Sequence, residues 1–346
     1  MSNTSGGLGS LIAALLEILR AIFGVTKPTG ATVSGPTSPP DNTTEPTRIV
    51  TSRVLLIVYD PVMDETTGQK LSQKMDWNRV DALISGFTAH ILETSSGLAR
   101  YQIVQRIEPN EFPAKKDGFR YDPDSYRAVI QGGVQHKPKM VDYHAILTGL
   151  NILPRIENLE IDEVWVFAFP HAGFYESIMG GAGAFWCNAP PLANTSQCGR
   201  KFVIMGFSYE RGLGEMLESF GHRAESILTE TFQRTSGNAN LYQRFARYDK
   251  IASGQAEVGT IHFAPNSEKD YDWSNPRKVP SRCDDWDNFP AFQDVVREVN
   301  AEEWGNGDMR DHHKWWLDHL PKVAGRTMGI ANNWWQYIMD PNLLNL

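Results

Sequence analysis

Four side chains able to ligate or to move protons recur at helical spacing near the middle of the chain: Glu215, Glu218, His222 and Glu225. Separations of three and four residues stack side chains on one face of an α-helix. The sequence therefore predicts a ladder of three carboxylates and one imidazole. Glu218 and His222, four apart, are spaced to ligate one ion from a single helix. Carboxylates held side by side repel, and a cation among them removes the repulsion. Acid and base residues also line ordinary solvated helix faces, and spacing alone does not separate the two readings.

The elements around the ladder are legible from the apolar pattern. Lys201 to Phe207 is an apolar run of strand length, Ser208–Gly212 is a turn, and a helix is expected from about Leu213 to Phe232. Leu213, Leu217, Phe220, Ala224 and Ile227 form its core-facing stripe, with the ladder on roughly the opposite side. Before it, Arg53–Tyr59 and Glu163–Phe169 read as buried strands and Tyr101–Ile107 as a further strand. Helices are expected at Asp76–Ser95, with Asp76 as cap, and near Tyr143–Leu153. The Gly-rich stretch Met179–Gly183 reads as a loop and Ala184–Cys187 as a short edge strand. This alternation predicts an α/β (α+β) fold, a mixed sheet with helices packed on it.

Strand, turn and a helix reading Gly214-Glu215-Met216-Leu217-Glu218-Ser219-Phe220-Gly221-His222 resembles the active-site helix of the zincin metallopeptidases. Their motif is His-Glu-x-x-His, often extended by x-x-Gly, and they too run through an α/β sheet and an edge strand before that helix. In this alignment Glu215 falls on the catalytic Glu and Gly221 on the extension glycine. Gly214 and Glu218 fall on the two His positions, so one ligand is absent and the other is a carboxylate, while His222 lies one residue past Gly221. The resemblance implies zinc or another divalent metal, Glu215 as general base, and Glu218 and His222 as ligands, with Glu225 or His262 completing the set. It equally implies, with those departures, a zincin-like fold that has lost its activity.

After Phe232 the periodicity fades, and residues 233–346 read as a loop-rich, Trp-rich subdomain. His262 is expected in a short apolar strand there, ahead of Asn266, Glu268, Asp270 and Asp272, where a ligand from beyond the helix would come from. Trp273, Trp286, Trp304, Trp315, Trp316, Trp334 and Trp335 lie in the same part, with Asp311, His312, His313 and His319 on an expected helix. Paired tryptophans pack cores, but exposed ones stack on sugars. A carbohydrate-binding or carbohydrate-acting protein, with clustered carboxylates doing acid–base work, is the second reading. A non-catalytic structural or cargo protein is the third. The substrate is a peptide in the first reading and a saccharide in the second.

A net charge of −8 over 346 residues with no sustained basic run argues against nucleic acid as partner. Of the three cysteines, Cys187 and Cys198 bracket a short loop that suits either a local disulfide or two reduced buried thiols, and Cys283 is left over. Residues 10–25, SLIAALLEILRAIFGV, form a wide apolar helical face, too short and too charged for a membrane span and without the features of a secretory signal. Such a helix needs a partner, a protein or membrane surface. Residues 26–48 are a Thr-, Pro- and Gly-rich linker, and residues 49–346 one globular domain, divided at 232. A docking helix on a tether resembles targeting peptides that load cargo into protein particles or non-standard export routes.

Overall fold

The computed structural model describes residues 45–345, so the expected docking helix and nearly all of the linker lie outside the described residues. The end of the linker is fastened, unlike the free tether expected there: Glu45 pairs with Arg326 at 2.6 Å, and Arg48 O accepts from Asn333 Nδ2 at 2.9 Å. The chain then runs β1 (Val50–Val58), β2 (Val62–Asp64), β3 (Gln69–Lys70), α1 (Leu71–Lys74), α2 (Val80–Thr94) and β4 (Ala99–Ile107). Next come α3 (Pro123–Ile130), α4 (Tyr143–Gly149), α5 (Ile152–Glu157), β5 (Glu163–Ala168), β6 (Ser177–Gly180), β7 (Phe202–Ser208) and α6 (Leu213–Phe232). The remainder holds α7 (Leu241–Phe245), β8 (Val279–Ser281), β9 (Arg297–Val299), α8 (Met309–Asp318), β10 (Lys322–Thr327), β11 (Ile330–Asn333) and α9 (Trp335–Met339), joined by long loops and short 3-10 turns.

Five strands form the central sheet in the order β4-β1-β5-β7-β6, parallel except for β6, which runs antiparallel to β7. The α/β class is thus as expected. Val54–Val58 and all of β5 are buried, which explains their unbroken apolar runs: a strand covered on both faces has no polar side to alternate with. Phe87 of α2 contacts Trp165 of β5 at 5.3 Å between ring centroids, Phe207 of β7 at 5.4 Å and Phe220 of α6 at 6.0 Å. Helices α2 and α6 therefore share one face of the sheet.

Several boundaries differ from expectation for local reasons. The edge strand is Ser177–Gly180, not Ala184–Cys187; the glycines from Gly181 begin the turn, with φ of +96° at Gly181 and +71° at Gly183. The following loop lies on the outer edge of β6, where Leu192 N donates to Met179 O at 2.8 Å. Asp76 does not cap α2, because it adopts φ +53° and the helix starts only after Arg79. The helix near Tyr143–Leu153 is split into α4 and α5 by Asn151, which takes the left-handed conformation. Cys187, Cys198 and Cys283 are all buried free thiols, so the two-thiol alternative holds and the disulfide does not.

Candidate metal centre

Helix α6 begins and ends where the periodicity places it, but both of its sides are covered. Its apolar stripe packs on the sheet and α2. The side that carries the ladder is covered by the loop 259–273 and by α8. Arg223, fully buried, fixes the helix on the sheet side: its guanidinium donates to Glu163 Oε2 of β5 at 2.9 Å and to Ile338 O of α9 at 3.1 Å. On the other side His313 Nδ1 of α8 meets Gly214 O at 3.0 Å. Polar side chains enclosed in this way are costly unless they are partnered, and those of the ladder are.

Glu218, His222 and His262 converge, with one donor atom of each within 4.8 Å of the others and all three residues buried. The Nε2 atoms of His222 and His262 lie 3.0 Å apart, and Glu218 Oε1 lies 2.8 Å from the second and 3.9 Å from the first. A tetrahedral centre with bonds of about 2.0–2.1 Å has ligand–ligand edges of about 3.3 Å, and these separations bracket that length. The far nitrogen of each ring faces a carboxylate: His222 Nδ1 is 3.0 Å from Glu225 Oε2, and His262 Nδ1 is 3.0 Å from Asp270 Oδ1. An imidazole whose Nδ1 faces a carboxylate can give its Nε2 lone pair to a metal, the arrangement that metal-bound imidazoles have with their outer partners. Where no metal binds, His262 Nε2 carries a proton and donates to Glu218 Oε1. Tyr271 Oη donates to Glu218 Oε1 at 2.7 Å.

Bringing His262 to the helix is the task of the irregular region. Ile261 N donates to Glu225 Oε1 at 3.0 Å, Trp316 Nε1 to Gly259 O at 3.0 Å, and Trp273 Nε1 to His262 O at 3.1 Å. Gly221 makes the approach sterically feasible, since a Cβ there would sit 2.4 Å from Ile261 Cγ1. His262 itself lies in this irregular loop, not in the short strand expected for it.

Three carboxylates around two imidazoles leave the cluster short of positive charge, and the titration behaviour reflects that. Burial works against the charged form of His262, but Asp270 and Glu218 beside it win and raise it to about 10. Burial likewise works against ionised Glu218, yet the hydrogen bond and charge of His262, with the Tyr271 hydroxyl, hold it down at about 2. For His222, burial is outweighed by Glu225, and its pKa is raised. A proton, or a cation in its place, is what the surrounding carboxylates favour.

Of the residues singled out by sequence, the structure brings Glu218, His222 and His262 together and separates the other two from ligation. Glu225 stands behind His222 as its orienting partner, because its carboxylate is divided between that ring and Ile261 N. Glu215 caps the helix: Oε2 accepts from Gly212 N at 3.0 Å, the third residue reaching back to the first free amide. Taking Glu218 and His222 as the pair also shifts the motif by one turn. With Glu218 and His222 as the i, i+4 pair, the residue after the first ligand is Ser219, whose hydroxyl donates to Glu215 O at 2.9 Å. Asp270 and Tyr271 are visible in the sequence only as members of a polar loop; that the same loop carries His262 is the signal that could have marked them.

The tryptophans do not form the stacking surface that the carbohydrate reading calls for. Trp273, Trp286, Trp304, Trp316, Trp334 and Trp335 are buried and Trp315 is half-buried: Trp286, Trp316 and Trp334 pack around Phe245, Trp335 against Phe220, and Trp304 against Trp315. His312 and His313 are buried against Trp273, with ring centroids 4.9 and 5.0 Å from it.

The chain matches no family model, no curated protein and no solved structure.

Proposed function

We propose that this is a zincin-like metal-dependent hydrolase in which Glu218, His222 and His262 hold one divalent ion, zinc by the nature of the donors. The observation that carries the reading is the pair of imidazoles 3.0 Å apart at Nε2, each with a carboxylate on its Nδ1. Two imidazoles and a carboxylate are a donor set that catalytic zinc sites use, with a fourth position left open. The antiparallel edge strand β6, followed by β7 and then α6, is the element order that the resemblance implies, and it supports the same frame.

When bound, such an ion polarises a carbonyl and lowers the pKa of a water it holds. The chain's own residues do the rest. Glu225 and Asp270 fix the ring orientations and tautomers, and Tyr271 holds the Glu218 carboxylate. The ligand side chains retain 8–11% of their surface, and Tyr271, which hydrogen-bonds Glu218, retains 40%. Ser219 stands where the motif's general base would be and has no carboxylate to offer. Proton removal in this centre therefore lacks the usual adjacent base, and a peptide-type substrate is turned over slowly.

The test is metal content of the purified full chain after dialysis against zinc, beside Glu218→Gln and His222→Ala. Loss of one equivalent in both variants, with peptide hydrolysis lost alongside it, is the expected result. Equal metal in all three proteins would end the proposal.

A further inference from the structure

A second cluster of ligating side chains lies away from helix α6 in the C-terminal region. Cys283 and Asp284 open the 3-10 turn Cys283–Asn288, and His319 closes the C-terminus of α8. Donor atoms of the three lie within 4.8 Å of one another. The Cys283 thiol donates to Asp284 Oδ1 at 3.4 Å. That separation is close to the about 3.5 Å edge between a sulfur and an oxygen on one tetrahedral zinc, with bonds of about 2.3 and 2.1 Å. His319 Nδ1 donates to Trp315 O at 2.7 Å, which fixes the tautomer and leaves Nε2 as a lone pair.

We propose that Cys283, Asp284 and His319 form a second metal site, for a thiophilic divalent cation such as zinc, which ties the Cys283–Asn288 turn to the end of α8. Thiolate, imidazole and carboxylate together suit zinc better than magnesium or calcium, which take oxygen ligands. The electrostatics admit a cation despite a neighbouring guanidinium. Arg297 reaches both oxygens of Asp284, through Nε to Oδ2 and through Nη2 to Oδ1 at 2.9 Å, and also lies 2.6 Å from Glu303 Oε1, so one guanidinium stands between two carboxylates and leaves a net negative charge for a cation. His319 is at the carbonyl end of a helix of ten residues, where the helix dipole favours positive charge. Binding takes the proton from the Cys283 sulfur to solvent as the metal–sulfur bond forms, and no redox step is involved.

The site has a structural consequence. The region after Phe232 contains few long elements, and a cross-link between an irregular turn and α8 would help hold α8 where His313 meets Gly214 and Trp316 meets Gly259. The proposal does not depend on the centre at Glu218, because the two share no ligand.

Cobalt(II) titration of the full chain tests it, since only the second site has sulfur. The expected result is a thiolate-to-cobalt charge-transfer band in the near ultraviolet. The band should vanish in Cys283→Ser and in His319→Gln and persist in His222→Ala. His319→Gln guards against a Cys283→Ser variant that fails to fold. Absence of the band in the unaltered chain, or its survival in folded His319→Gln with unchanged intensity, would overturn the proposal. Zinc should also raise the thermal midpoint of His222→Ala but not of the double variant His222→Ala/His319→Gln.

Discussion

At the scale of single residues, the centre separates side chains that would ligate from those that orient. Glu225 and Asp270 each face an imidazole Nδ1 at 3.0 Å, and outer partners of this kind are worth about 10–100-fold in metal affinity. Glu225→Gln and Asp270→Asn are therefore predicted to weaken zinc binding by about that factor while retaining the full stoichiometry at saturating zinc. Competition with a chromophoric chelator measures both. Glu215→Gln should behave differently. It weakens a cap worth about 1 kcal/mol and leaves zinc affinity unchanged, although the motif alignment gives Glu215 the leading catalytic part. Loss of peptide hydrolysis in Glu215→Gln with zinc fully retained would mean that Glu215 is the base that the motif alignment makes it.

At the scale of elements, α6 is a helix clamped from two directions, and each clamp carries a prediction. Arg223 and Glu163 are an ion pair with 1–2% of their side-chain surface exposed. Arg223→Met leaves the Glu163 carboxylate buried and unpaired, a loss of about 3–5 kcal/mol, to be read from denaturant midpoints. Replacing both partners by apolar residues should recover most of it. On the opposite side, Gly221 lets the loop bearing His262 lie against the helix, with Ile261 as the atom group a Cβ would strike. Gly221→Ala gains helix propensity of about 1 kcal/mol but pushes Ile261 and His262 outward. The expected phenotype is near-normal stability with zinc affinity reduced more than tenfold. Normal affinity in that variant would show that the loop adapts and that His262 is not held by this contact.

At the scale of the whole molecule, what was legible follows from how local each signal is. The strands Val54–Val58 and Glu163–Ala168 announced themselves because both faces are buried, and the helix Leu213–Phe232 because its stripe is long and regular. Glu218, His222 and His262 were named from residue type, but only the fold decides that His262 crosses 40 positions to meet His222. The capping role of Glu215 and the orienting role of Glu225 depend on single hydrogen bonds that no periodicity encodes. The tryptophans were ambiguous for the same reason: their pairing fits a core or a sugar platform, and burial resolves it. Their indole N–H groups at Trp273 and Trp316 turn out to hold the loop that carries His262. The irregular half of the chain is thus the support of the centre that the regular half displays. The most direct test of that account is an anomalous difference map at the zinc absorption edge from crystals of the full chain grown with zinc. The account predicts a peak bonded at about 2.0–2.1 Å to Glu218 Oε1, His222 Nε2 and His262 Nε2. No peak there, with the two imidazoles and Glu218 still hydrogen-bonded directly to one another, would contradict it.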